Sequence, residues 1–333
     1  MKLETTYLGL SLAHPIVAGA SPLTATFDGV RRLEDAGAAA IVTASLYEKE
    51  ILDEEEALEW GRTVGAESHP EVTTYQPPLQ GCRTPLEGHL ETIRRSAESL
   101  SVPLIASLHA TTREGWVGMA ADLEAAGAAA LELNLFAVPT VTDESSADVE
   151  EKLVGIVREV RGAVGIPLAV KVGPCLTALP HLAAATAEAG AAGIVLFNRF
   201  YETDIDLATM TIRPTLELST RREIRFPLMW TALLAGKTPL SLASTGGVEG
   251  AEEVVKYLLA GADTVQTASA LMRNGPEYVD RLVDGLKDWL KSHGAASVDE
   301  IRGRMSAARI PSHDVLLRTQ PTPTMLRECP CEP

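Results

Sequence analysis

Four stretches of the chain repeat one another, and this repeat restricts the fold more than any other feature: "LEDAGAAAIVTAS" (33–45), "LEAAGAAALELNL" (123–135), "AEAGAAGIVLFNR" (187–199) and "LLAGADTVQTAS" (258–269). Each reads as a helix end, a glycine and an apolar strand. Gly37, Gly127, Gly190 and Gly261 stand where a helix stops in the left-handed conformation, which glycine adopts without a Cβ penalty. A second set interleaves with the first: "HPIVAGAS" (14–21), "VPLIASLHA" (102–110), "IPLAVKVGP" (166–174) and "TPLSLASTGG" (238–247). Each of these opens with a proline at the strand's start, where a missing N–H is tolerated. In chain order the two sets give eight strands separated by amphipathic helical stretches such as "GAEEVVKYLLAGA". Near-continuous apolar strands alternating with helices mean a parallel sheet covered by helices, and eight such units indicate a (β/α)8 TIM barrel of the α/β class. A doubly wound open sheet is the alternative.

The barrel is expected to span residues 1–308 as a single domain, with 309–333 as a flexible, Pro-rich C-terminal tail. Two excursions break the rhythm, at 46–86 and 200–226, after the second and sixth strands. Loops of that length in a compact domain are usually functional, and these leave the barrel face on which active sites are built.

With 333 residues, 46% of them hydrophobic, the chain can bury a large core. Its formal net charge of −16 repels phosphate backbones and anionic headgroups, so no nucleic-acid or membrane partner is expected. A small-molecule substrate is, and the reading is compatible with a homodimer. Cys82, Cys175, Cys329 and Cys331 form no paired framework, and the opening "MKLETTYLGL" carries no apolar leader, so a reduced, cytoplasmic setting is expected. No metal site is expected, because Cys329 and Cys331 alone make an incomplete one.

In a barrel of this kind the C-terminal strand ends face the reaction. Here they are Ala20 and Ser21, Ser45, His109, Asn134, Lys171, Asn198 and Arg199, Thr245 with Gly246 and Gly247, and Ala268 with Ser269. The glycine pair of "STGG" before a helix and the serine of "TAS" one strand later suit a phosphate, which binds backbone N–H groups at helix starts. Lys171 stands in the middle of an apolar strand and needs an anionic counterpart. That counterpart is either a neighbouring carboxylate such as Glu132 or a bound anionic group. With Asn134 and Asn198 at the same depth, the ring suits a phosphorylated planar cofactor.

On these residues the chain resembles the dihydroorotate dehydrogenase family of FMN-dependent barrels, most closely its bacterial dihydroorotate dehydrogenase-like branch, from about Leu3 to Ser306. The motifs are "HPIVAGAS", "ELNLF", "VKVGP", "STGGV" and "QTASAL". The resemblance implies that Ala20, Ser21 and Ser45 lie near an FMN and that Asn134 and Lys171 bond its pyrimidine edge. It further implies that Thr245, Gly246, Gly247, Ala268 and Ser269 hold its phosphate and that Asn198 reaches the substrate. The implied activity is oxidation of a CH–CH bond of a small cyclic substrate, by default dihydroorotate to orotate in pyrimidine biosynthesis. Two departures stand out. The family's general base after the fourth strand is replaced by Phe136 and Ala137, and its lysine after the second strand is Ala44. A substitute acid or base must come from His109, Cys175, Tyr47 or Tyr201. Two other readings remain open: a flavin-binding protein with a regulatory or partner role and little turnover, and a flavin-free lyase or isomerase using Lys171 as a Schiff-base amine.

Overall fold

The computed structural model describes residues 1–63, 84–136, 138–199, 202–215, 217–312 and 314–317. Eight parallel strand positions close on themselves: β1 (Ile16–Ala18), β2 (Ile41–Val42, resuming at Leu46–Tyr47), β3 (Leu104–His109), β4 (Ala130–Leu135), β5 (Leu168–Val172), β6 (Gly193–Leu196), β7 (Ser241–Thr245) and β8 (Thr264–Thr267). Each pairs with its neighbours, and β8 returns to β1 through Val265 opposite Ile16, so no open edge remains. The fold is the TIM barrel that the repeats predict, not an open sheet. All four repeat glycines lie at positive φ, between +83° and +120°. The prolines also have a constructive part: the carbonyls of Pro15, Pro103 and Pro167 accept the N–H groups of Val265, Ile41 and Leu131 on adjacent strands.

Strand alternation divides the interior. Leu104, Leu131, Leu168 and Ile194 face the surrounding helices, whereas Ile105, Ala130, Ala169, Val195 and Ala243 belong to a separate apolar cluster inside the barrel. An N-terminal hairpin, Thr5–Tyr7 against Leu10–Leu12, supplies Tyr7, Leu8 and Leu12 to that inner cluster. With the lower barrel filled by apolar groups, the inward positions nearer the strand ends are left for polar ones.

The two excursions carry regular structure of their own. The first begins with a helix, Glu48–Thr63, and ends in another, Pro85–Ser99. The second contains an antiparallel hairpin, Glu202–Asp206 with Thr211–Thr215, whose turn is held by the Asp206 carboxylate accepting the N–H groups of Ala208 and Thr209. In the tail, Asp314–Leu317 forms one helical turn, while 318–333, with Cys329 and Cys331, lie outside the described residues, as does Cys82. No helix of the described residues is long and apolar enough to cross a membrane.

Candidate active site

Inward positions of three strands build the floor of the site. Glu132 on β4 has no solvent exposure, and both its oxygens are bonded: Lys171 Nζ on β5 donates to Oε1 at 3.1 Å, and Gln266 Nε2 on β8 donates to Oε2 at 2.6 Å. The counterpart that a mid-strand lysine needs is therefore present within the protein. Lys171 nevertheless retains 13% of its side-chain exposure and lines the cavity above. Burial, and then the charges of Glu132 and Asp263, push the Tyr7 phenol well above its ordinary value, so it stays neutral.

Asn134, opposite Lys171 in register, is two residues farther along β4. Its Oδ1 accepts Asn198 Nδ2 at 2.7 Å, and its backbone carbonyl accepts His109 Nδ1 at 2.8 Å. Asn198 Oδ1 in turn accepts the N–H of Arg199. These bonds join the ends of β3, β4 and β6 into one polar chain.

Above this floor is a cavity of about 150 Å³, whose wall includes Ala20, Lys171, Asn198, Thr245, Gly246, Ala268 and Ser269. A neighbouring cavity of about 190 Å³ shares Phe197, Asn198, Arg199, Thr245 and Gly246 with it. Taken together they reach the lower end of the roughly 300–1,000 Å³ typical of small-molecule sites. Gln266 and Thr267 also line the first cavity, and Gln266 Oε1 and Thr267 Oγ1 are buried without a hydrogen-bond partner. Buried polar atoms are normally satisfied, so two orphans on one cavity wall mark a place for a ligand with polar edges.

Not every residue singled out from the sequence faces this space. Ser21 turns to Thr24, its N–H donating to Thr24 Oγ1, and Ser45 Oγ bonds Ser107 Oγ at 2.8 Å where β2 is interrupted. Gly247 lies behind its neighbour: its N–H donates to Ser219 Oγ, and a Cβ there would come 2.6 Å from the backbone nitrogen of Ile224. At Gly246, by contrast, a Cβ would meet nothing within 4 Å. Cys175 is exposed beyond β5. Ala137 and Tyr201 lie outside the described residues.

Sequence reasoning missed Gln266, Ser219 and Glu223. Gln266 had a signal, a polar residue inside the apolar run "DTVQTAS". Ser219 had none, because it arrives from the second excursion to bond Ser269 Oγ at 3.0 Å. Glu223 pairs with Arg199 Nε at 3.2 Å. Among the described residues no group of three or more His, Cys, Asp or Glu side chains could hold a metal ion.

A second region lies on the other side of Asn134. His109 and Phe136 line a cavity of about 430 Å³ together with Trp116, Leu135, Val138 and Leu153. Its charged members, Lys152 and Glu144, pair with each other.

The family model described as "Dihydroorotate dehydrogenase" matches residues 78–290. The catalytic subunit of dihydroorotate dehydrogenase B (NAD(+)) from Methanothermobacter thermautotrophicus is 27% identical over 312 residues, 90% of this chain and 97% of the relative. The chloroplastic dihydropyrimidine dehydrogenase (NADP(+)) of Arabidopsis thaliana is 25% identical over 341 residues, covering 96% and 80%. The NAD-dependent dihydropyrimidine dehydrogenase subunit PreA of Escherichia coli is 23% identical over 348 residues, covering 94% and 79%. A closed barrel with this floor of β4, β5 and β8 side chains and a family match over most of its strands lead to one assignment: the chain belongs to the dihydroorotate dehydrogenase family.

Proposed function

We propose that the protein is an FMN-dependent dehydrogenase that removes two hydrogens from a CH–CH bond of a small cyclic substrate. The observation that carries this reading is the cavity over the Glu132–Lys171–Gln266 network, with two orphaned polar atoms on its wall, in a chain of this family. The donor set fits FMN. Lys171 Nζ, Asn198 and the unpartnered Gln266 Oε1 and Thr267 Oγ1 suit a ring edge that alternates N–H and carbonyl groups. Thr245, Gly246, Ala268 and Ser269 would hold the phosphate, and the sequence carries no "GxGxxG" turn for the pyrophosphate of FAD.

When bound, FMN would supply hydride acceptance. The chain's own groups do the rest. Lys171 places a cation where negative charge develops on reduction, and its bond to buried Glu132 fixes that cation in position. Asn134, by holding Asn198, orients the amide that reaches the substrate. This ion pair, with the family assignment, favours the flavin reading over Lys171 as a Schiff-base amine.

Dihydroorotate is the family default, and uncharged dihydropyrimidines are the alternative raised by the names of two relatives. Anaerobic mixing of FMN-loaded protein with each compound tests the reading. Bleaching of the flavin by either ring supports it, and the faster donor names the substrate class. A flavin that neither ring reduces would instead favour a flavin-binding protein with little turnover.

A further inference from the structure

The proposed oxidation needs a proton acceptor, and the family's position for it is occupied here by the stretch of Phe136 and Ala137, neither of which can take a proton. The end of the adjacent strand supplies one. His109 Nδ1 lies 2.8 Å from the backbone carbonyl oxygen of Asn134. A carbonyl only accepts, so Nδ1 carries the ring proton and Nε2 is left as the lone-pair nitrogen.

Nε2 has no hydrogen-bond partner among the described residues, although the ring is half-buried. The ring is held from two sides, with the Tyr47 centroid 5.5 Å away and the Trp116 ring edge-on at 5.9 Å. The hydrogen bond and the two aromatic neighbours orient the ring and leave Nε2, among the described residues, without a partner on the wall of the cavity it shares with Phe136.

Among the described residues, the charged groups near the ring are engaged elsewhere. Glu48 beside Tyr47 accepts from Thr111 and Thr112, and Lys152 and Glu144 on the far wall pair with each other. The same Asn134 whose carbonyl accepts from His109 bonds Asn198 at the proposed flavin site, so one residue at the end of β4 links the ring to that site, while the ring itself lines the neighbouring cavity.

We infer that His109 is the catalytic base of this enzyme, an inference that rests on the dehydrogenase reading above. The acidic C–H of the substrate ring would give its proton to Nε2 and the neighbouring carbon its hydride to bound FMN, which is the oxidant, so that the C–C bond becomes C=C. The imidazolium then returns its proton to solvent.

The test pairs His109→Gln with wild type. Both are loaded with FMN and mixed anaerobically with dihydroorotate and with 5,6-dihydrouracil across pH 5.5–8.5, and flavin content and circular dichroism check the fold. Wild-type reduction should be slower at the acidic end of this range than at the alkaline end, because a protonated Nε2 cannot accept the substrate's proton. The variant should be slower by roughly 10²–10⁴-fold and lose that difference. A variant within a few-fold of wild type, with the same pH profile, overturns the inference while leaving the dehydrogenase reading intact. Wild-type protein that neither compound reduces removes both. An independent readout needs neither flavin nor variant: 15N NMR of the flavin-free protein should show His109 as the Nδ1–H tautomer, and an Nε2–H tautomer overturns the assignment.

Discussion

Lys171 is read from the sequence as a lysine requiring an anion, with Glu132 and a bound group as the two alternatives, and the structure joins the first to a place on the cavity wall. Breaking a buried ion pair from one side leaves the other charge uncompensated, which typically costs about 3–5 kcal/mol. Lys171→Met should therefore lower unfolding free energy by about that much, and adding Glu132→Gln should restore most of it, as urea titration can measure. A single variant as stable as wild type would mean that the Lys171–Glu132 pair does not stabilise the fold. The glycine pair shows what the sequence withholds at this scale. Both glycines look equivalent in "STGG", yet only the path of residues 219–224 determines that Gly247 is pressed against Ile224 while Gly246 faces open space. Gly247→Ala should accordingly destabilise the protein more than Gly246→Ala, for which left-handed strain of about 1–3 kcal/mol is the main cost.

At the scale of elements, the strands were legible because each has to follow a helix-ending glycine or a proline and then bury both faces, which leaves a visible run of apolar residues. The helix and hairpin in the excursions were not. The hairpin Glu202–Asp206 with Thr211–Thr215 leaves Ile205 and Ile212 exposed, so no buried face imposes an apolar–polar alternation on its sequence. The N-terminal hairpin was missed for a different reason: its strands are three residues each, too short to show a period. The helix Glu48–Thr63 is tied to the barrel at its first residue. Buried Glu48 accepts the N–H groups and hydroxyls of both Thr111 and Thr112 at the start of the helix Arg113–Ala125. A Cβ on Gly115 would lie 2.0 Å from Glu48 Oε1. Gly115→Ala, which should gain about 1 kcal/mol from helix propensity alone, is thus expected to lower the melting temperature. A rise would show that Glu48 can move aside without loss. Burial pushes the Glu48 carboxyl up, but the hydrogen bonds from Thr112 and Thr111 outweigh it and hold the group below its ordinary value. The stability it contributes is present above the unfolded carboxylate pKa and is lost as pH falls through the lowered folded value. The penalty of Glu48→Gln should therefore shrink on acidification.

For the whole molecule, His14 is a second pH-dependent tie. Its Nε2 donates to the carbonyl of Gly37 and its Nδ1 accepts the N–H of Ile16, joining β1 to the end of the helix Phe27–Asp35. Burial pushes its pKa below the ordinary value, as it does for His89. Both are neutral in the fold while the unfolded chain protonates first, so stability should fall as pH drops below about 6.5 and be unaffected by them above it. Urea midpoints at pH 7.5 and 5.5 should show that loss, and His14→Gln should flatten it; an unchanged slope would assign the loss to other groups. The barrel and the ring of strand ends could be read from repeats and short motifs, whereas the meeting of β3, β4 and β6 through His109, Asn134 and Asn198 depends on strand order and register. Whether this ring holds FMN is decided by the identity and amount of cofactor that heat releases from the protein as purified and, where it carries none, after incubation with FMN and FAD together. One FMN per chain, reduced to a small fraction in Lys171→Met with Glu132→Gln, is the predicted result; recovery of FAD alone, or of no flavin after reconstitution, would contradict it.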